Sequence, residues 1–144
     1  MEKNEIVEIL KEYIDKPFSG SPSPFTHWLK PVIRHVEAGK VIFEYTIRHD
    51  MTNPINTLHG GVTAGIIDDT IGAALFTVSG FEKYTTVNLS VDYFYPARED
   101  DIIFAEAKVV KKGKQIVHIN CRITNKKSGK LLAEGRSNLI KLKR

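Results

Sequence analysis

Residues 56–75, NTLHGGVTAGIIDDTIGAAL, are the stretch that most limits what this chain can become. Apolar and small side chains dominate them, with two carboxylates, Asp68 and Asp69, in the middle, so the pattern predicts a helix that is hydrophobic nearly all round. Such a helix must be wrapped by other elements. His59-Gly60-Gly61 stands at its mouth. Unpaired N–H groups and the positive end of the helix dipole meet there, and glycine lets a ligand approach the backbone closely.

The rest of the chain supplies the wrapping. Ile6, Ile9, Leu10 and Tyr13 predict a short amphipathic helix over about 2–14. Pro17, Gly20, Pro22 and Pro24 then impose an irregular stretch. Strands are predicted over about 31–37 and 40–48, joined through Ala38-Gly39, and over about 85–95, 101–111, 115–125 and 130–140. Val87, Leu89, Val91 and Tyr93 alternate with Thr86, Asn88, Ser90 and Asp92, a period of two. The expected fold class is α+β: an antiparallel sheet of about six strands around one long apolar helix. Residues 1–30 read as a helix and irregular lead-in, and 31–144 as the main domain. A sheet of this kind keeps edges and an open face, which invites dimerisation.

Composition narrows the function. At 42% hydrophobic and 26% charged residues, the 144-residue chain reads as an ordinary soluble domain. No run of about 18 or more apolar residues is evident, so neither a membrane span nor a membrane partner is expected. The N-terminus lacks the basic-then-apolar layout of a signal peptide. The single cysteine, Cys121, excludes an internal disulfide and, with the rest, suggests a cytoplasmic setting. Its alternation with Val117, Ile119 and Ile123 makes it a core residue rather than a nucleophile. The net charge of +4 is mild. Lys111, Lys112 and Lys114 around Gly113, and Lys126, Lys127 and Lys130, fall in hairpin tips without aromatic interleaving, which fits nucleic acid poorly. Neither GxGxxG nor GxxxxGK occurs, and His27, His35, His49 and His118 have no metal-ligand spacing. No cofactor and no metal are expected.

Asp68 has Ala64, Gly65 and Gly72 as helical neighbours. Small neighbours leave room beside the carboxylate for a ligand, or serve close helix–sheet packing. A carboxylate in apolar surroundings has a raised pKa, which suits a general base near neutral pH. Asp69 points about 100° away, toward a strand or a partner subunit. Gly60 and Asp68 are about 12 Å apart along the helix axis, far for one reacting carbonyl to meet both. Two antiparallel helices across a dimer interface would close that distance.

The stretch NPINTLHGGVTAGIIDD, followed by VDYFYPAR and KKGK, resembles the hotdog-fold acyl-CoA thioesterases of the PaaI-like, 4-hydroxybenzoyl-CoA thioesterase-related group. The resemblance spans about residues 31–140. It implies hydrolysis of acyl-CoA to free acid and coenzyme A, by a homodimer with shared sites that assembles further into a homotetramer. It assigns polarisation of the thioester carbonyl to the Gly60 amide and Asn53. The catalytic acid falls on Asp68, acting from the other subunit as general base or as nucleophile through an anhydride. Thr86 would position water. His59 either shapes the mouth or transfers a proton. Gly61, Tyr84 and the segment Lys111, Lys112, Gly113, Lys114, Gln115, Ile116 would touch substrate, the segment at its nucleotide end. Phe76, Phe81, Tyr84, Phe94 and residues 17–28 are candidates to line or cap the acyl tunnel. A non-catalytic acyl-CoA-binding module is the alternative. A hydratase fits less well, having no histidine between residues 60 and 80 to pair with the acid.

Overall fold

The structure is a computed structural model that describes residues 3–143. Helix α1 spans Lys3–Lys11 and buries Ile6, Val7 and Leu10. Residue 2 of the predicted helix lies outside the described residues. The predicted continuation to 14 is instead a run of tight turns, with the Tyr13 N–H donating to the Leu10 carbonyl. The stretch read as irregular holds a second helix, α2 (Pro24–Leu29). Its Ser23 cap accepts the Thr26 N–H, Pro24 begins its first turn, and Lys30 ends it in the left-handed region at φ 58°. Proline at the first position of a helix is a start signal, so the prolines here open α2 rather than only breaking the chain.

All six predicted strands form. β1 (Val32–Glu37) and β2 (Lys40–Thr46) make a hairpin through Ala38-Gly39, with Gly39 at φ 83°. A single 3-10 turn, His49–Met51, leads into the long helix α3 (Gly60–Ser79). Then follow β3 (Tyr84–Tyr93), β4 (Ile102–Lys112), β5 (Ile116–Asn125) and β6 (Leu131–Lys141). The sheet order is β1-β2-β4-β5-β6-β3, antiparallel throughout.

α3 lies against β2, β4, β5 and β6. Ile66, Ile67, Ile71 and Ala74 are fully buried, and so are Tyr45, Ala105, Ile119 and Cys121 on the sheet. Removing this apolar surface from water is the main force holding helix to sheet. Gly135 on β6 sets the distance of approach: a Cβ there would lie 2.7 Å from Ile67 Cγ2. Buried hydroxyls on α3 are satisfied within the helix, Thr70 donating to the Ile66 carbonyl and Ser79 to that of Leu75. Burial pushes the Cys121 thiol far above its usual range, which leaves it unionised and inert.

One expectation needs correction. By length and mean hydropathy (1.3), α3 is apolar enough to cross a membrane. The scattered Thr, Gly and Asp that hid this from a run-based reading do not lower the average enough. Its apolar side instead faces the sheet.

β3 ends the sheet and pairs only with β6. Its predicted alternation is broken. Thr86 pairs with Leu139 and Asn88 with Asn138, so Val87 is an extra residue, a bulge, and is 57% exposed. Leu89 and Val91 pack on the core. Because a one-residue insertion reverses which face each side chain takes, the bulge turns Thr86 toward α3, which strict alternation would not.

Candidate active site

The mouth of α3 is built by its own cap. His59 precedes the helix in extended conformation, and its Nδ1 accepts the Gly61 N–H at 2.9 Å. Through this bond His59 caps the helix, and it engages Gly61 rather than Gly60. The Gly60 carbonyl accepts the Tyr93 hydroxyl at 2.6 Å. Tyr93 is a residue the sequence reading did not single out. Its signal was present in the quoted VDYFYPAR motif, but only the fold brings β3's end to the helix mouth. Asn53 organises the preceding loop: its Oδ1 accepts the Ile55 and Thr57 N–H groups at 3.1 Å each, and its Nδ2 donates to Thr57 Oγ1 at 2.8 Å.

Two turns along α3, Asp68 is exposed and accepts the Thr86 hydroxyl at 3.3 Å on Oδ1. Asp68, Thr86 and Tyr84 together line a groove of about 520 Å³. Gly60 and Tyr93 line a separate one of about 310 Å³, which also holds Phe94. Within one chain the structure therefore brings together Asp68, Thr86 and Tyr84, and separately Gly60, Gly61, His59 and Tyr93. It does not bring the two sets to one point.

The apolar surroundings expected for Asp68 are instead those of Asp69. Its Oδ1 accepts the Thr26 hydroxyl of α2 at 2.7 Å, while Oδ2 is buried without a partner. Burial pushes the Asp69 carboxyl above the usual carboxylate range; the Thr26 bond opposes this and the charge of Asp68 adds to it. The predicted contact of Asp69 with a strand or a partner subunit is thus replaced by one with α2, an element the sequence reading lacked. Both acids border an apolar cleft of about 530 Å³ beneath α2, which Phe18, Phe25, Phe76 and Phe81 also line.

At the β4–β5 turn, Lys111, Gly113, Lys114, Gln115 and Ile116 border a groove of about 470 Å³ with His118 and Asn138. Gly113 is required by the turn itself, since a Cβ there would lie 2.9 Å from the Ile116 carbonyl oxygen. The second lysine tip is occupied with packing: Lys126 pairs with Glu44 at 2.9 Å, and Lys130 sits 3.9 Å over the Tyr95 ring. Among the described residues no His, Cys, Asp and Glu cluster could hold a metal ion.

Comparison with known proteins agrees with this fold. The thioesterase superfamily profile matches residues 55–132. Human acyl-coenzyme A thioesterase 13 is 38% identical over 98 residues, covering 68% of this chain and 70% of the human one. The crystal structure of zebrafish thioesterase superfamily member 2 superposes with a TM-score of 0.79 at 26% identity, over 99% of each chain. The PaaI protein of E. coli shares the fold, with a TM-score of 0.81 at 18% identity over 98% of this chain and 94% of its own.

Proposed function

The chain belongs to the thioesterase superfamily, and from that premise we propose an acyl-CoA hydrolase whose working site is assembled from two copies of the chain. One copy offers the Gly60 N–H at the start of α3, with Asn53 in the loop that leads into it. The other offers Asp68 and Thr86. The thioester carbonyl lies at the helix start, where the N–H and the helix dipole stabilise the negative charge that grows on its oxygen. Thr86 holds one oxygen of the Asp68 carboxylate, and the other is left for chemistry.

Asp68 either takes a proton from water as that water attacks the carbonyl carbon, or attacks the carbon itself. In the first route the tetrahedral intermediate collapses with breakage of the C–S bond, and the coenzyme A thiolate leaves and is protonated. In the second, the same bond breaks to give an acyl–Asp68 anhydride, which water then hydrolyses. The groove of Lys111, Lys114 and His118 receives the nucleotide end, where lysines neutralise phosphate as point charges.

The observation that carries the reading is the Thr86–Asp68 hydrogen bond, placed on the open edge of the sheet and away from Gly60. Edge placement supports a second chain, since β3 has one unpaired edge and exposes Val87 and Tyr93.

Initial rates on acyl-CoA test it. Asp68→Asn should lower kcat by about 100-fold or more with the melting temperature held, and Asp69→Asn should do far less. The reverse ranking would assign the chemistry to the wrong acid. Turnover in ¹⁸O-water tests for the anhydride: label in Asp68 marks an anhydride that water opens at the Asp68 carboxyl carbon.

A further inference from the structure

Two glycines flank the acids on α3, and packing explains only one. A Cβ on Gly65 would lie 2.7 Å from the Phe25 ring, so Gly65 is what admits α2 against α3. A Cβ on Gly72 would meet nothing within 4 Å. Glycine inside a helix is about 1 kcal/mol less favourable than alanine, and here no protein atom requires it. Gly72 sits one turn past Asp68, about 6 Å along the axis. It borders both the Asp68 groove and the apolar cleft, and Asp68, Phe76 and Gly80 border both as well. Two cavities with four lining residues in common adjoin along that ridge.

We propose that Gly72 is the low point over which the acyl group passes from Asp68 into the apolar cleft beneath α2, and that its missing side chain determines how long an acyl group the enzyme accepts. The inference rests on the reading of Asp68 as the reacting carboxylate. The substrates it names are acyl-CoAs with an extended apolar chain. Phe18, Phe43 and Phe76 give such a chain apolar walls, and Thr26 engages the acid in the wall, Asp69. A chain that ends before Gly72 gains none of this contact.

The test compares butyryl-CoA with lauroyl-CoA in the wild type, Gly72→Ala and Gly72→Leu. Filling the low point should reduce the ratio of kcat/KM for lauroyl over butyryl by about tenfold or more in Gly72→Leu, with Gly72→Ala in between. Alanine should also raise the melting temperature, since it is the better helix former. A ratio equal to that of the wild type in both variants overturns the proposal, as does an equal fall on both substrates. Should Gly72→Leu not fold, the Gly72→Ala ratio decides alone. A wild type inactive on every acyl-CoA would instead overturn the reading of the site itself.

Discussion

Asp69 is the one side chain in this cleft with a buried oxygen that nothing satisfies. Its carboxyl binds a proton more tightly folded than unfolded, because burial and the neighbouring Asp68 disfavour the charge more than Thr26 favours it. The sign follows from proton counting. Between the ordinary carboxylate value and the raised one the native state holds more protons, so stability falls as pH rises through that window. Asp69→Asn keeps an oxygen for the Thr26 hydroxyl and removes the titration. The variant should therefore melt higher than the wild type at neutral pH, and the difference should shrink as pH falls to about 4. Melting curves across that range check it, and a difference independent of pH would mean that the burial of Asp69 is not what titrates. That the two acids point apart was legible from their adjacency and the 100° helical step. Which of them is enclosed was not. It depends on Thr26 and Phe25, carried by a six-residue helix in a stretch whose prolines predict an irregular path.

β3 shows how an element can be predicted correctly and its faces wrongly. Its span was legible from alternation, as were the other five strands and the apolar helix they wrap. The bulge at Val87 was not, because it arises from register against β6 and leaves no mark in the local pattern. Without it, Thr86 and Leu89 would take opposite faces; with it, Thr86 reaches Asp68. Deleting Val87 should remove the bulge and leave Thr86 opposite Leu139, still facing α3. The expected result is a kcat close to that of the wild type, in a protein whose far-ultraviolet circular dichroism is retained, while Thr86→Ala lowers it. A loss of kcat as large as that of Thr86→Ala would show that the bulge itself, and not only the face it gives Thr86, is needed to reach the acid.

At the scale of the whole molecule the governing fact is separation. Gly60 and Asp68 share a helix and border different grooves, and the proposed site takes them from different chains. Their separation was legible, since eight helical residues fix the axial distance whatever the packing. A mixed dimer turns it into a measurement. In an Asp68→Ala chain the mouth is intact. In an Asn53→Asp chain the acid is intact, and the new carboxylate keeps the oxygen that accepts the Ile55 and Thr57 N–H groups while losing the amide donor. Each homodimer then lacks one half of every site. In the heterodimer one site regains both halves and the other loses both, so the purified heterodimer should recover about half the wild-type activity per dimer while neither parent exceeds a few per cent. Recovery should follow the fraction of mixed dimer when the chains are unfolded together and refolded, and stay absent when they are mixed under conditions that prevent exchange. Heterodimers that form and remain inactive would mean that each chain completes its own site, with the mouth of α3 reaching Asp68 by a movement within the chain.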